Sequence, residues 1–138
     1  MNAMEDNKPT RHITPQIVEE LKQIQEFLEI EAPGDDPNAL VERITYLNAY
    51  MARTGFLLAE AKADLDNATA GVFAAYSSMI LKMPATVSTK FISSQCESEN
   101  YYVAWIERIN KACVHQSDNI RTQVSFAKEQ LSLTRRGY

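Results

Sequence analysis

The sequence predicts an all-α fold with two long antiparallel helices and shorter flanking helices, arranged as a coiled-coil-like hairpin. Apolar residues recur at spacings of four and three along most of the chain, and prolines stand where these segments begin or end. The only strand signal is a weak one at Phe91-Ile92. The length of 138 residues, with 45% hydrophobic and 23% charged residues, is typical of one globular domain.

The first predicted helix follows a polar, unpatterned start. Residues 1–13 are expected to form a flexible N-terminal tail, and residues 14–138 a single helical domain. Thr14-Pro15 is typical of an N-cap followed by proline at the first helical position. Four apolar residues then form one stripe over about 15 to 30, and Ala32-Pro33-Gly34-Asp35 ends the helix. The stripe consists of Ile17, Leu21, Ile24 and Leu28.

The second predicted helix carries the strongest pattern in the chain. Asp36-Pro37 repeats the helix start, and twelve positions then alternate spacings of four and three, with Thr54 the only polar residue among them. This heptad seam predicts a helix from 37 to about 82, about 70 Å long at 1.5 Å per residue. The seam comprises Leu40, Ile44, Leu47, Met51, Thr54, Leu58, Ala61, Leu65, Ala68, Val72, Ala75 and Met79.

Two further helices are predicted after Pro84, which ends the long helix. Residues 85–95, rich in Ser and Thr, form a short helix or a structured connector, and the helical period returns from Glu97 to about residue 132. This last helix reaches about 54 Å and covers most, but not all, of the heptad seam. We therefore expect a homo-oligomer whose interface includes Leu47, Met51, Leu58 and Leu65.

No arrangement typical of catalysis or metal binding is present in the sequence. Cys113 and His115 are two apart on a helix, so their side chains point away from each other. The few other candidates lack the spacing of a zinc site, and no glycine cluster follows a strand to hold a phosphate. We expect no enzymatic activity, no catalytic residues, no metal and no cofactor.

Composition also predicts the compartment. No run of 18 apolar residues and no secretory leader occurs, which predicts no membrane partner. Two cysteines, Cys96 and Cys113, do not make a disulfide framework, so a reducing compartment is expected. These features predict a cytoplasmic protein.

Charge is distributed unevenly along the chain. Residues 1–81 hold 6 Lys+Arg and 13 Asp+Glu, a net charge of −7, and residues 82–138 hold 8 and 5, a net charge of +3. This asymmetry fits either a surface that faces a polyanion or two halves that attract each other, within one chain or between subunits.

Basic residues share one face of the last predicted helix. Arg108, Lys111 and His115 fall at positions i, i+3 and i+7, opposite the apolar stripe, with Tyr101-Tyr102 nearby. Cations for phosphates and rings for bases are what proteins that bind single-stranded nucleic acid use. Glu107 and Asp118 lie near these residues and reduce the net positive charge of the row. The alternative interpretation is therefore an ordinary helix face in contact with solvent.

Three short segments of the long helices stand out: residues 61–66 (Ala-Lys-Ala-Asp-Leu-Asp), Tyr101-Tyr102 and Arg121-Thr122-Gln123-Val124. They resemble segments of the UvsY-type recombination mediators of tailed bacteriophages. In that family the corresponding segments are a run of alanine, lysine, alanine, arginine, leucine and aspartate, a pair of aromatics, and a later arginine-any-glutamine-aliphatic segment. The segment from Ile109 to Gln130 also looks like small helical proteins encoded in phage genomes, and a phage-encoded chain would be expected in the host cytoplasm.

The resemblance implies a non-enzymatic, ring-like oligomer that holds single-stranded DNA and assists a recombinase in phage DNA recombination or replication. Lys62 matches the family's DNA-contacting lysine, whereas Asp64 replaces its arginine and inverts the charge. DNA contact is therefore expected mainly from Arg108, Lys111 and His115, with Lys62 as a further candidate. The alternative is a helical protein–protein interaction module, such as a phage inhibitor of a host factor, that uses its acidic face against a basic partner.

Overall fold

The computed structural model describes residues 11–31, 34 and 36–137. Within these ranges the chain forms four helices and no strand, which confirms the all-α prediction and the hairpin of two long helices. The helices are α1 (Pro15–Glu29), α2 (Pro37–Ile80), α3 (Ala85–Gln95) and α4 (Glu97–Arg135). The predicted end of the first helix at 32–35 lies mostly outside the described residues.

Sequence signals at the helix starts have the predicted geometry. Thr14 is the N-cap of α1 and accepts a hydrogen bond from the backbone N–H of Ile17 at 3.3 Å. Asp36 caps α2 in the same way and accepts from the N–H of Asn38 at 3.1 Å. Proline occupies the first turn of both helices, where its missing N–H leaves no helical bond unmade.

Three helices form the core. α1 and α4 both run antiparallel to α2 and pack against its N-terminal half, with Arg53 of α2 on Glu20 of α1 and Asn110 of α4 on Met51 of α2. One cluster of buried apolar side chains joins all three helices. Its members are Ile13, Leu21, Ile24, Leu28, Leu40, Leu47, Leu57, Ala61, Ile106, Ile109, Cys113, Ile120 and Val124.

The heptad seam of α2 is only partly buried. Its first half lies in the core, together with three residues outside the predicted seam, because α1 and α4 approach α2 from two directions. Those three residues are Arg43, Leu57 and Asp64. The N-terminal end of α4 lies beside Ala61 and Asp64 of α2, so the last turns of α2 extend past it and leave Ala75 and Met79 exposed.

Leu47 is a correction to the predicted oligomer interface. Its side chain is 0% exposed and is buried by helices of its own chain, so it cannot contact a second copy while the chain is folded. The other three predicted interface residues, Met51, Leu58 and Leu65, are half-buried.

The end of the predicted flexible tail is also corrected. Residues 1–10 of that tail lie outside the described residues, but Arg11, His12 and Ile13 are held against α2 and α4. Ile13 belongs to the core cluster, because its side chain packs where α1 begins and the backbone N–H groups of His12 and of Ile13 itself donate to Asp64.

Beyond the three-helix core, the chain forms a two-helix projection, which we name the distal hairpin (residues 67–95). It consists of the last turns of α2 and the whole of α3, joined by a turn at 81–84. Tyr76 and Phe91 pack edge to face across it, with ring centroids 5.4 Å apart, and the backbone of α2 departs from helical geometry at Tyr76. No side chain of α3 is buried.

Among the described residues, no helix is both long and apolar enough to cross a bilayer.

Candidate functional site

The predicted basic row lies on the outer face of α4. Arg108, Lys111 and His115 are all exposed, while Ile109 and Cys113 between them face the core. Lys111 Nζ lies 3.4 Å from Glu107 Oε1 in an exposed pair one turn apart. Such a pair contributes little to stability, so Lys111 can exchange its carboxylate for another anion at small cost.

Lys62 lies on a different helix from the row. It is exposed on α2. The Asn110–Met51 contact sets the alignment of the antiparallel helices and places Lys62 opposite the first turns of α4, about 10 Å along the axis from Arg108. Three of the four predicted DNA-binding residues therefore lie side by side on α4, and the fourth, Lys62, lies apart from them on α2.

Asp64 does not face outward as a DNA-contacting residue would. Its carboxylate accepts hydrogen bonds from the backbone N–H groups of His12 (2.9 and 3.0 Å) and Ile13 (2.9 Å), and it lies 2.7 Å from His12 Nδ1. His12 Nε2 lies 3.3 Å from Glu60 Oε2. Burial would raise the pKa of Asp64, but the hydrogen bonds from His12 and Ile13 outweigh it and lower that pKa.

We expect the Asp64 cluster to make stability depend on pH in the acid range. Because the pKa of Asp64 is lowered in the folded chain, its stabilisation is complete above the unfolded value of about 4. It is lost as the pH falls through the lowered pKa. Asp64→Asn should lower the free energy of unfolding by about 1–3 kcal/mol at neutral pH. Thermal unfolding of both proteins from neutral pH downward checks this.

The control for this prediction is Asp66→Asn, since Asp66 is exposed two residues away. Asp66→Asn should keep the acid sensitivity of the unaltered protein. If the thermal midpoints of the unaltered protein and of Asp64→Asn differed by the same amount at every pH, the role of the ionised Asp64 would be contradicted.

The space beside the Asp64 cluster is small, and the two cysteines are enclosed by the protein. The cavity beside Asp64 and Glu99 measures about 10 Å³, room for no more than a water molecule. Cys96 and Cys113 are both buried, and burial raises the pKa of the Cys113 thiol, so the thiolate is disfavoured. In the described ranges no three His, Cys, Asp or Glu side chains are grouped to hold a metal ion.

An uncovered apolar surface lies on the distal hairpin. Leu81 at its turn is 76% exposed, and four other large apolar side chains of the hairpin are exposed as well. These are Phe73, Tyr76, Met79 and Val87. The hairpin contains Lys82 and Lys90 and no Asp or Glu. Exposed apolar residues that are grouped in one part of a molecule mark an interaction surface more often than scattered ones do.

A second candidate surface lies at the opposite end of the molecule. A half-open groove of about 650 Å³ is formed between the first turn of α2 and the last third of α4. Its lining is mostly apolar and includes Pro37, Leu40, Phe126, Ala127 and Leu131. A groove of this volume and character can hold a ligand or a helix from a partner.

Comparison with known proteins gives no relative for this chain. No protein-family model, curated protein or solved structure matches it. The resemblance to UvsY-type mediators therefore stays a prediction from short segments.

Sequence reasoning identified the basic row but not the distal hairpin or the groove. The exposure of Met79 could not be predicted, because Met79 has the same spacing as the buried residues of the seam. One signal was available in the charges: a segment of 29 residues, 67–95, lacks any acidic residue in an acidic chain. A segment without acidic residues in an acidic chain is a candidate for contact with another molecule rather than with solvent.

Proposed function

We propose that this protein is a non-enzymatic helical interaction module that binds another protein through its distal hairpin. The observation that carries the proposal is the uncovered apolar surface around Leu81, presented at the tip of a projection from a well-packed three-helix core. Its two lysines and its lack of acidic residues favour a partner surface that is apolar and rimmed by carboxylates.

The hairpin's own construction supports a role in binding. α3 has 11 residues and buries none of them. A helix this short is marginal in water unless another surface packs against it. A partner that covers α3 and the end of α2 would therefore stabilise the hairpin as it binds. Such a module acts by occupying its partner's surface, as an inhibitor of a host factor would.

We expect the double variant Phe73→Ser, Leu81→Ser to lose partner binding while the fold remains. Both side chains are exposed, so their loss should change the free energy of unfolding by less than about 0.5 kcal/mol. Affinity for the partner should fall about 10- to 100-fold, as when central apolar contacts are removed. The partner is first captured from cells that contain the protein, and affinity is then measured with both proteins purified.

Phe56→Ser is the matched control, because Phe56 is exposed to a similar extent on the part of α2 that lies in the three-helix core. It should leave the affinity unchanged. Equal weakening by both variants, or no weakening by the hairpin variant, would rule out the hairpin as the binding surface.

A second candidate function is single-stranded DNA binding in phage recombination, with a recombinase as protein partner. It is favoured by the exposure of Arg108, Lys111 and His115 on one face of α4. The half-buried Tyr102 and exposed Tyr101 lie toward the start of the same helix, with ring centroids 5.8 Å apart. Exposed rings near a cationic row are a platform on which unpaired bases can stack.

For this second candidate we expect Arg108→Ala with Lys111→Ala to weaken DNA binding about equally for all sequences. Each lost phosphate contact should reduce the slope of log affinity against log salt by about 0.7. Anisotropy of a labelled single-stranded oligonucleotide, titrated at several salt concentrations, measures both quantities. Lys62→Ala should have a smaller effect, because Lys62 stands apart from the row and the exposed Asp66 is near it in the chain. No binding at low salt, or an unchanged slope in the double variant, would exclude this candidate.

A further inference from the structure

The groove at the far end of the molecule exists because the C-terminal end of α4 extends past the start of α2, the helix it packs against. Leu40, near the start of α2, lies beside Gln123 and Ala127 of α4, and α2 begins only one turn earlier at Pro37. The last two turns of α4 therefore have no α2 residues alongside them. Leu131 is 52% exposed there, although it continues the apolar line that is buried at Ile120 and Val124.

The two segments of the chain that form the groove carry opposite net charge in the sequence. Along the chain, residues 29–42, from the end of α1 to the start of α2, contain five acidic residues and no Lys or Arg. Residues 125–136 of α4 contain Lys128, Arg135 and Arg136 against the single Glu129. Lys128, Arg135 and Arg136 surround a hollow beside Leu131. Among the described residues, no ion pair joins the acidic and the basic segments.

We propose that a second copy of this chain occupies the groove, with the C-terminal ends of the two α4 helices lying antiparallel about a two-fold axis near Ala127. A groove with one acidic and one basic side is complementary to itself under such an axis, since each copy meets the other in the reverse direction. The small side chain of Ala127 lets the helices approach closely where they cross.

The antiparallel arrangement accounts for both features of the groove. With the axis at Ala127, Leu131 of each copy falls opposite Gln123 of the other and enters the groove beside Leu40. The chain end beyond Leu131 then runs alongside the last turn of α1 in the second copy, because α1 ends near Gln116 of α4, whose side-chain amide donates to Leu28 O at 2.8 Å. Arg135 and Arg136 thereby reach the acidic segment that contains Glu29 and Glu31.

The test is the mass of the full chain in solution, measured by light scattering over a wide range of concentrations. The unaltered protein should form a dimer of twice the 15.6 kDa chain mass. Leu131→Glu should weaken the dimer about 100-fold or more, since it places a carboxylate in an apolar contact. Leu131 is exposed within one chain, so the helical circular dichroism signal of the folded chain should be kept, while the thermal midpoint should fall toward that of the monomer because the dimer no longer stabilises the folded state.

A charge-reversal pair tests the orientation of the two copies. Arg135→Glu with Arg136→Glu should weaken the dimer about tenfold, and adding Glu29→Lys with Glu31→Lys should restore it. A lack of restoration would overturn the antiparallel arrangement.

Other occupants of the groove would give different results. A monomer at every concentration would overturn the proposal, whether or not the groove takes up an apolar fluorescent dye. A mass that keeps growing with concentration would indicate a head-to-tail contact and would also overturn it. Leu81→Glu in the distal hairpin should leave the dimer intact, so the dimer and the hairpin's partner can fail independently.

Discussion

Leu47→Ala should lower the free energy of unfolding by about 2–5 kcal/mol, the range for deleting a fully buried leucine side chain. Leu47 is completely buried in the cluster that α1, α2 and α4 share. Because these contacts are made within one chain, the loss should be the same at every protein concentration. Urea unfolding at low and high concentration, followed by circular dichroism, measures it.

The matched control is Leu81→Ala, in which the same side chain is removed from an exposed position. It should change the free energy of unfolding by no more than about 0.5 kcal/mol. If the cost of Leu47→Ala instead varied with protein concentration, Leu47 would lie between subunits, as the sequence predicted, and the burial described within one chain would be wrong.

Arg43→Met should be the second large effect, with a cost of about 2–4 kcal/mol from lost hydrogen bonds of a charged group. Arg43 Nη2 donates to the carbonyl oxygens of Phe27 (3.0 Å) and Ile30 (2.9 Å) and to Gln116 Oε1 (3.1 Å). Its guanidinium also lies over the Phe27 ring, 4.3 Å from the centroid. One buried arginine thus satisfies the C-terminal carbonyls of α1 and joins α1, α2 and α4.

Methionine keeps much of the apolar stem of Arg43 but removes the guanidinium donor, so that the Phe27 carbonyl oxygen keeps only the backbone N–H of Ile30 at 3.3 Å. Arg53→Met is the control, because Arg53 also joins α2 to α1 but does so at the surface, through Glu20. A surface pair of this kind contributes about 1 kcal/mol or less. Equal midpoints for the two variants in chemical unfolding would show that burial of Arg43 adds nothing.

The helix bounds followed closely from the sequence, because the signals that set them are local. Thr14-Pro15 and Asp36-Pro37 cap their helices through residues two or three positions later, and Pro84 precedes α3 directly. The four helices begin and end within a few residues of their predicted positions. Signals that act within one turn can be interpreted without knowing the rest of the fold.

The buried faces and the anchored N-terminal segment depend on contacts that are distant along the chain. Asp64 binds backbone groups 51 and 52 residues earlier, and nothing in the local pattern distinguishes it from an exposed carboxylate. Arg43 is buried because its guanidinium lies against the end of α1 as well as Gln116 of α4, and Leu57 belongs to the cluster that α1, α2 and α4 share. A single heptad seam does not describe burial on two sides of α2.

For the same reason, only one of the three candidate binding surfaces could be predicted from the sequence. The exposed row at Arg108, Lys111 and His115 could be identified because residues on one helix keep fixed angular positions. The distal hairpin and the groove depend on where α2 and α4 extend past each other. That offset is set by packing between helices rather than by the period within either one.

Photo-crosslinking tests most directly whether the distal hairpin contacts the protein's partner, as we propose. The photoreactive residue benzoylphenylalanine replaces Leu81 in one protein and Phe56 in another, in cells that contain the protein naturally. Irradiation should join the Leu81 position to a protein other than a second copy of this chain, and leave the Phe56 position without that product. Crosslinking to the same protein from both positions, or from neither, would contradict the claim.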